Sequence, residues 1–219
     1  MFKPQTLYQR INFRFVRSYY TETPLVTPKQ LWPYESLQRW KNPPERKVEA
    51  DEERLRKICR VLKVSQYDLR ITNINELRKC LYISKNFKVQ AGPTNDDTYP
   101  LKELIYMGYS ELHQKLSKWL DNLPKNMLKT NPAFTPDTGT HETAYMLIDQ
   151  FLIRKKLKYL ARLSKCETKI LPKVRKASDV ECFCCIIGYL YVCNGQTTMD
   201  RLLDETIVKP IIRRVVRLS

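Results

Sequence analysis

The stretch from Leu101 to Leu120 constrains this chain more than any other. Its apolar positions are Leu101, Leu104, Ile105, Gly108, Leu112, Leu116, Trp119 and Leu120. They recur at the three- and four-residue intervals that line one face of an α-helix. Gly108 stands on that stripe. Glycine inside a helix costs up to about 1 kcal/mol relative to alanine, so its position predicts a second backbone packed close against this helix. The longest apolar run, Cys182 to Cys193, has 12 residues and includes Gly188. A membrane-spanning helix needs ~20, so no membrane span is expected and the run reads as a buried core helix.

The rest of the chain predicts an all-α fold. Residues 50–63 place acids first and bases last, which complements the helix dipole, with Leu55, Ile58, Cys59 and Leu62 as one apolar stripe. A second helix is expected at 73–83 with Asn73 as N-cap, then a loop over 86–98. Thr98 to Lys102 should open the long helix, with Pro100 in its first turn. After a proline-containing loop at 123–140, helices are expected at 141–154 and 155–166. A final long helix should begin near Ser178 and Asp179 and stop at Asn194-Gly195. A terminal helix is expected at 197–208, followed by a basic tail at 209–219. No strand and no internal repeat are expected.

The first 50 residues read differently. Residues 1–20 hold Lys3, Arg10, Arg14 and Arg17, no acid, and scattered Phe, Leu and Ile. Arg-rich, acid-free and amphipathic describes a mitochondrial transit peptide; a basic arm retained on the mature protein is the alternative. Residues 21–50 carry Pro24, Pro28, Pro33, Pro43 and Pro44 among Trp32, Tyr34 and Trp40. Proline at that density prevents a regular helix, so an extended arm with aromatic anchors, or a linker, is expected. The domain proper is then 51–208.

Lys and Arg number 39 against 23 Asp and Glu, a formal net charge of +16. Removing residues 1–17 takes away four positive charges and no negative one, leaving +12. The excess points to a polyanionic partner, nucleic acid or anionic lipid. Candidate phosphate contacts are Arg154, Lys155, Lys156, Lys158, Arg162 and Lys165, then Lys169, Lys173, Arg175 and Lys176, and Arg213, Arg214 and Arg217 near the end. Seven cysteines, an odd number in a chain of 219 residues, suit free thiols in a reducing compartment better than a disulfide framework. Cys182 and Cys185 form a CxxC on one helix face, with only Cys166 and Cys193 nearby as further ligands. Buried core thiols fit better than a metal site. His113 and His141 have no nucleophile at an informative spacing, and the chain contains neither GxxxxGK[ST] nor GxGxxG. No cofactor and no metal are expected.

Several segments together resemble the ribonuclease III family. KELIYMGYSEL, Lys102 to Leu112, is similar to the family's signature helix ERLEFLGDAVL, its glycine matching Gly108. ECFCCIIGYLYV, Glu181 to Val192, is similar to the second catalytic helix DVFEALIGALYLD, with Phe183, Ile186, Ile187, Gly188, Leu190 and Tyr191 matching. ELRKCLYISKNF upstream and LKYLARLSKCETKIL between them fall in the family's order. The resemblance covers roughly residues 65–208 and implies the helical endonuclease-domain fold.

The departures imply a changed function. Family members cleave double-stranded RNA with divalent metals held by carboxylates, and magnesium needs hard oxygen ligands. The expected acids fall on Lys102, Ile105 and Tyr109 in the first helix, and on Glu181 and Cys184 in the second. Only Glu181 is acidic; a further family carboxylate would fall near His141 or Glu142. The site therefore reads as catalytically dead. The 31 residues after Gly188 are too few for the double-stranded-RNA-binding domain of catalytic relatives. These features resemble the short ribonuclease III-like structural proteins of fungal mitochondrial large ribosomal subunits. That implies ribosomal RNA, other large-subunit proteins and a longer ribonuclease III-like protein as partners, in the mitochondrial matrix. The family dimerises through its signature helix, which implies Leu104, Ile105, Gly108, Tyr109 and Leu112 at the interface of a heterodimer; burial of that stripe within the monomer is the alternative. The competing functions are a mitochondrial double-stranded-RNA endoribonuclease and a non-ribosomal RNA-processing factor.

Overall fold

In the computed structural model of the protein, the residues described are 42–92, 97–122, 140–163 and 172–218. The transit peptide expected at 1–20 and most of the arm expected at 21–50 lie outside them. Helix accounts for 70% of the described residues and strand for 4%, so the protein is mostly helical, as the periodicity predicts, with one small sheet added.

A 3-10 turn, Glu45–Lys47, leads into helix α1, Val48–Val61. Helix therefore begins inside the segment expected to be an extended arm; the five prolines stop at Pro44, and nothing after it forbids helix. Leu55, Ile58 and Leu62 are buried. Helix α1 closes with Lys63 in the left-handed region at φ 53°. The Lys63 N–H bonds the Arg60 carbonyl (3.2 Å) and the Val64 N–H bonds that of Cys59 (3.0 Å), the double bond of a Schellman motif. Helix α2, Ile74–Lys79, is capped by Asn73, whose side chain accepts from the Asn75 N–H at 2.8 Å. It is shorter than expected, and its Glu76 accepts from the Gln90 N–H at 2.7 Å.

That bond anchors the unexpected sheet. Strands β1, Lys88–Gln90, and β2, Thr98–Pro100, pair antiparallel with Val89 opposite Tyr99. The alternation here is only three residues long, too short to read as a strand period. Pro100 consequently sits just before the long helix α3, Leu101–Asp121, not in its first turn.

Helix α4 runs Thr140–Arg154 and α5 runs Pro172–Asn194. The helix expected at 155–166 is absent over its described part. Lys156 adopts φ 57°; its N–H bonds the Ile153 carbonyl (3.1 Å), and the Leu157 N–H bonds that of Leu152 (2.8 Å). The same Schellman closure ends α4 and throws the chain into a compact turn that buries Leu157, Leu160 and Ala161. Those buried positions mimic a helical stripe in sequence. Ser178 and Asp179, expected as caps, lie nearly two turns inside α5.

Helix α5 is the axis of the fold. From Val180 to Leu190 every side chain except Glu181 is buried, as expected of a helix apolar all round. After Gly195 at φ 74°, helix α6, Gln196–Leu203, passes into a π-helical turn, Asp204–Val208, and helix α7, Lys209–Leu218. Pro210 explains the π turn. Proline has no N–H to give to the Thr206 carbonyl, and its ring crowds that oxygen. The wider turn, with the Lys209 N–H reaching the Asp204 carbonyl, makes room for the ring. The expected basic tail is thus a packed helix that buries Ile211, Ile212 and Val215.

Candidate functional site

Helices α3 and α5 cross at two glycines. A Cβ on Gly108 would stand 2.0 Å from the Cys184 carbonyl oxygen, and one on Gly188 2.0 Å from the Leu104 oxygen. The pairing of 104 with 188 and of 108 with 184 makes the helices antiparallel. The second backbone predicted from Gly108 is therefore α5 of the same chain. This crossing places the positions at which the resemblance expects metal ligands.

On α3, Lys102, Ile105 and Tyr109 fall three and four residues apart; Lys102 is exposed and the other two are half-buried. On α5, Cys184 is buried and Glu181 is partly so. Burial pushes the Tyr109 hydroxyl up to about 12, with the Cys184 thiol adding to the shift. Burial, reinforced by Glu181, holds that thiol protonated far above its ordinary range. Burial likewise raises the Glu181 carboxyl above 4.5. The crossing thus offers a neutral phenol, a neutral thiol and one carboxyl that water solvates poorly. Among the described residues no group of three or more His, Cys, Asp or Glu is arranged to hold a metal ion. Glu142 is exposed on the first turn of α4, and the side chain of His141 lies outside the described residues.

The residues expected at a partner interface divide. Leu104, Gly108 and Leu112 are buried within the chain. They point at α5, because the glycine contact turns the whole i, i+4, i+8 stripe inward, and they have nothing to give a partner. Ile105 and Tyr109, on the flank of the stripe, are only half-buried.

The cationic candidates divide too. Arg162 donates from Nε to Asp51 Oδ1 at 2.6 Å, and Asp51, fully buried, also accepts from Tyr82 OH at 2.8 Å and Arg78 Nη2 at 3.4 Å. Arg162 therefore holds the turn after α4 onto α1, a structural task within the chain that keeps it from standing free on the surface. Arg175 stacks 4.9 Å from the Tyr159 ring centroid and lies 4.0 Å from Asp179, so it too faces its own chain. Asp179 accepts from the Tyr159 N–H (2.8 Å) and the Ala161 N–H (3.0 Å). Arg54, not singled out in the sequence, donates to the carbonyls of Tyr159 and Leu160. Asp51, Asp179 and Arg54 belong to one network that no local motif announces.

Arg154, Lys155, Lys156, Lys158, Lys176, Arg213 and Arg214 are exposed. Lys155 rests 5.8 Å from the Phe151 ring centroid. The fold brings Arg154, at the end of α4, close enough to Arg214 of α7 for the second charge to depress the ionisation of the first, after burial. Two guanidinium groups 60 residues apart in sequence are thus gathered on one surface. Lys165 and Lys169 lie outside the described residues, as do the side chains of Lys173 and Arg217.

The CxxC cysteines are core residues. Cys182 donates to the Cys80 carbonyl at 3.4 Å and Cys185 to that of Leu101 at 3.9 Å, with both thiols fully buried. Burial raises both well above the ordinary thiol value, which leaves them protonated and unreactive. No helix among the described residues is long and apolar enough to cross a membrane. Comparison of the chain with protein families, with curated proteins and with solved structures gives no match.

Proposed function

We propose that the chain is a non-cleaving, ribonuclease III-like structural component of the mitochondrial large ribosomal subunit. In this reading it holds ribosomal RNA through its cationic surface and pairs with a second ribonuclease III-like protein. The observation that carries it is the side-chain set at the α3–α5 crossing: Lys102, Ile105, Tyr109 and Cys184 around the single acid Glu181. In-line phosphoryl chemistry needs two metals and several carboxylates together, and this crossing has lost them while keeping its two glycines. The cationic surface supplies the second support. Phosphate contacts fix position and orientation without reading sequence, which suits a scaffold. The partner-facing surface of α3 is then its outer flank, Ile105, Tyr109 and Tyr106, the last 44% exposed.

The test is sedimentation of the tagged full-length protein from a mitochondrial lysate, paired with an RNA-cleavage assay. Co-migration with the large subunit after a salt wash is expected, with no magnesium-dependent cleavage of duplex RNA by the protein alone or with what co-purifies. Release at moderate salt assigns it to a non-ribosomal RNA-processing factor. Magnesium-dependent cleavage that Glu181→Gln abolishes overturns the non-catalytic reading.

A further inference from the structure

Trp119 stands near the end of α3 with 42% of its surface exposed, although the core lies one residue away at Leu120. Trp is among the side chains that gain most from burial, so an exposed indole on a rigid helix is unusual. A hollow opens on one side of it, lined by Trp119, Ile212 and Val216 with Lys209 and Arg213. Trp119 also lines a second hollow, with Lys115, Lys118, Asn122 and Asp204. Lys115 is committed there, bonded to Asp200 at 3.0 Å and to Asp204 at 3.2 Å. That ion pair braces α3 against α6 and the π turn, and it consumes the one carboxylate lining either hollow.

The charge left around the ring is cationic. Lys209 and Arg213, one turn apart on α7, are exposed, and the first hollow holds no acid. We propose that this Trp119 groove binds single-stranded RNA, one base stacking on the indole while neighbouring phosphates lie against Lys209 and Arg213. An aromatic face between backbone-tracking cations is how proteins hold unpaired strands without reading sequence. A protein partner fits less well. Its interface needs some 20–30 residues a side, and the groove presents three apolar side chains. Duplex RNA fits less well because its bases are stacked on one another and offer no face. The inference rests on the reading above only for RNA being the polyanion; the groove makes the strand unpaired.

The experiment measures anisotropy of fluorescein-labelled oligouridine and of duplex RNA of equal length with the full-length protein. Trp119→Ala should weaken oligouridine binding about ten-fold and leave duplex binding unchanged, and Trp119→Phe should restore most of the loss. Lys209→Gln with Arg213→Gln, both on the surface, should lower the salt dependence of oligouridine binding by about 1.4 in the log–log slope, the release expected for two single-strand phosphates. Thermal melts check that each variant folds; should Trp119→Ala fail to fold, the surface pair decides alone. Oligouridine binding unaffected by the folded variants overturns the groove and leaves the RNA reading standing. No binding of either RNA overturns both. An acidic amphipathic peptide that binds in a Trp119-dependent way where oligouridine does not overturns the proposal in favour of a protein ligand.

Discussion

Gly108 and Gly188 meet where two helix backbones approach within the volume of a methyl group, and each is irreplaceable for the same reason. The oxygen that a Cβ on Gly108 would strike belongs to the backbone of α5, which cannot swing aside as a side chain can. Gly108→Ala should therefore destabilise by about 3 kcal/mol, the upper range for overpacking, although alanine is the better helix former. A urea midpoint that rises instead would show that the helices can part. Glu181, one turn before Cys184 on α5, makes the second residue-scale prediction. Its burial raises the carboxyl pKa above 4.5. Between that value and the raised one, the folded protein keeps a proton that the unfolded chain has lost, so stability falls as pH rises through the window and stays lower above it. Glu181→Gln removes the titration. The variant should be more stable than the native protein at pH 7, with the difference closing below pH 4.5, read from urea midpoints across pH. A carboxylate serving a bound metal would give the opposite sign in the metal's presence. Gly108 was legible because glycine on an apolar stripe has few explanations; the matching approach at Gly188 was not, because α5 is apolar all round and its glycine stands on no stripe. The state of Glu181 was not, since its solvation depends on neighbours from another part of the chain.

Among the elements, α1 and α3 could be read from the sequence because their apolar periodicity is long, and α5 because its apolar run is. The acids opening α1 and Asn194-Gly195 closing α5 mark boundaries, whereas α5 starts at Pro172, ahead of the Ser178 expected to open it. The segments 155–163 and 209–218 could not be read. Leu157, Leu160 and Ala161 have helical spacing, yet Lys156 in the left-handed region breaks the helix before them, and lysine there gives no warning that glycine would. What holds this turn is the carboxylates of Asp51 and Asp179, from helices more than 100 residues apart. For 209–218 the basic residues Arg213, Arg214 and Arg217 interrupt the stripe Ile211, Ile212 and Val215 in sequence, and Pro210 is admitted into the helix only by the π turn before it. The consequence is measurable. Ile211, 1% exposed, should cost about 3 kcal/mol when changed to alanine, seen as a lower urea midpoint; a solvated tail would show no change.

At the scale of the molecule, the positive charge has been sorted by folding. Arg54, Arg78, Arg162 and Arg175 turn inward to carbonyls, carboxylates or a ring, while Arg154, Lys155, Lys158, Arg213 and Arg214 remain on the surface. Net charge alone could not separate the two groups, because the partners of the inward ones come from distant helices. Arg154 and Arg214 show the sorting most sharply. Burial, and after it the charge of Arg214, lowers the ionisation of Arg154, and a free protein gains nothing from holding like charges near each other. A polyanion reverses the account, because a phosphate lying between two guanidinium groups turns mutual repulsion into shared attraction. The double variant Arg154→Gln, Arg214→Gln should therefore do two opposite things. The free protein's urea midpoint should hold or rise, since the like-charge influence on Arg154 is gone. Binding to duplex RNA should weaken, and its log–log salt slope should fall by about 1.8, the release expected for two duplex phosphates. A lower midpoint with unchanged RNA affinity would make the pair part of the fold's own support and remove this surface from the RNA footprint.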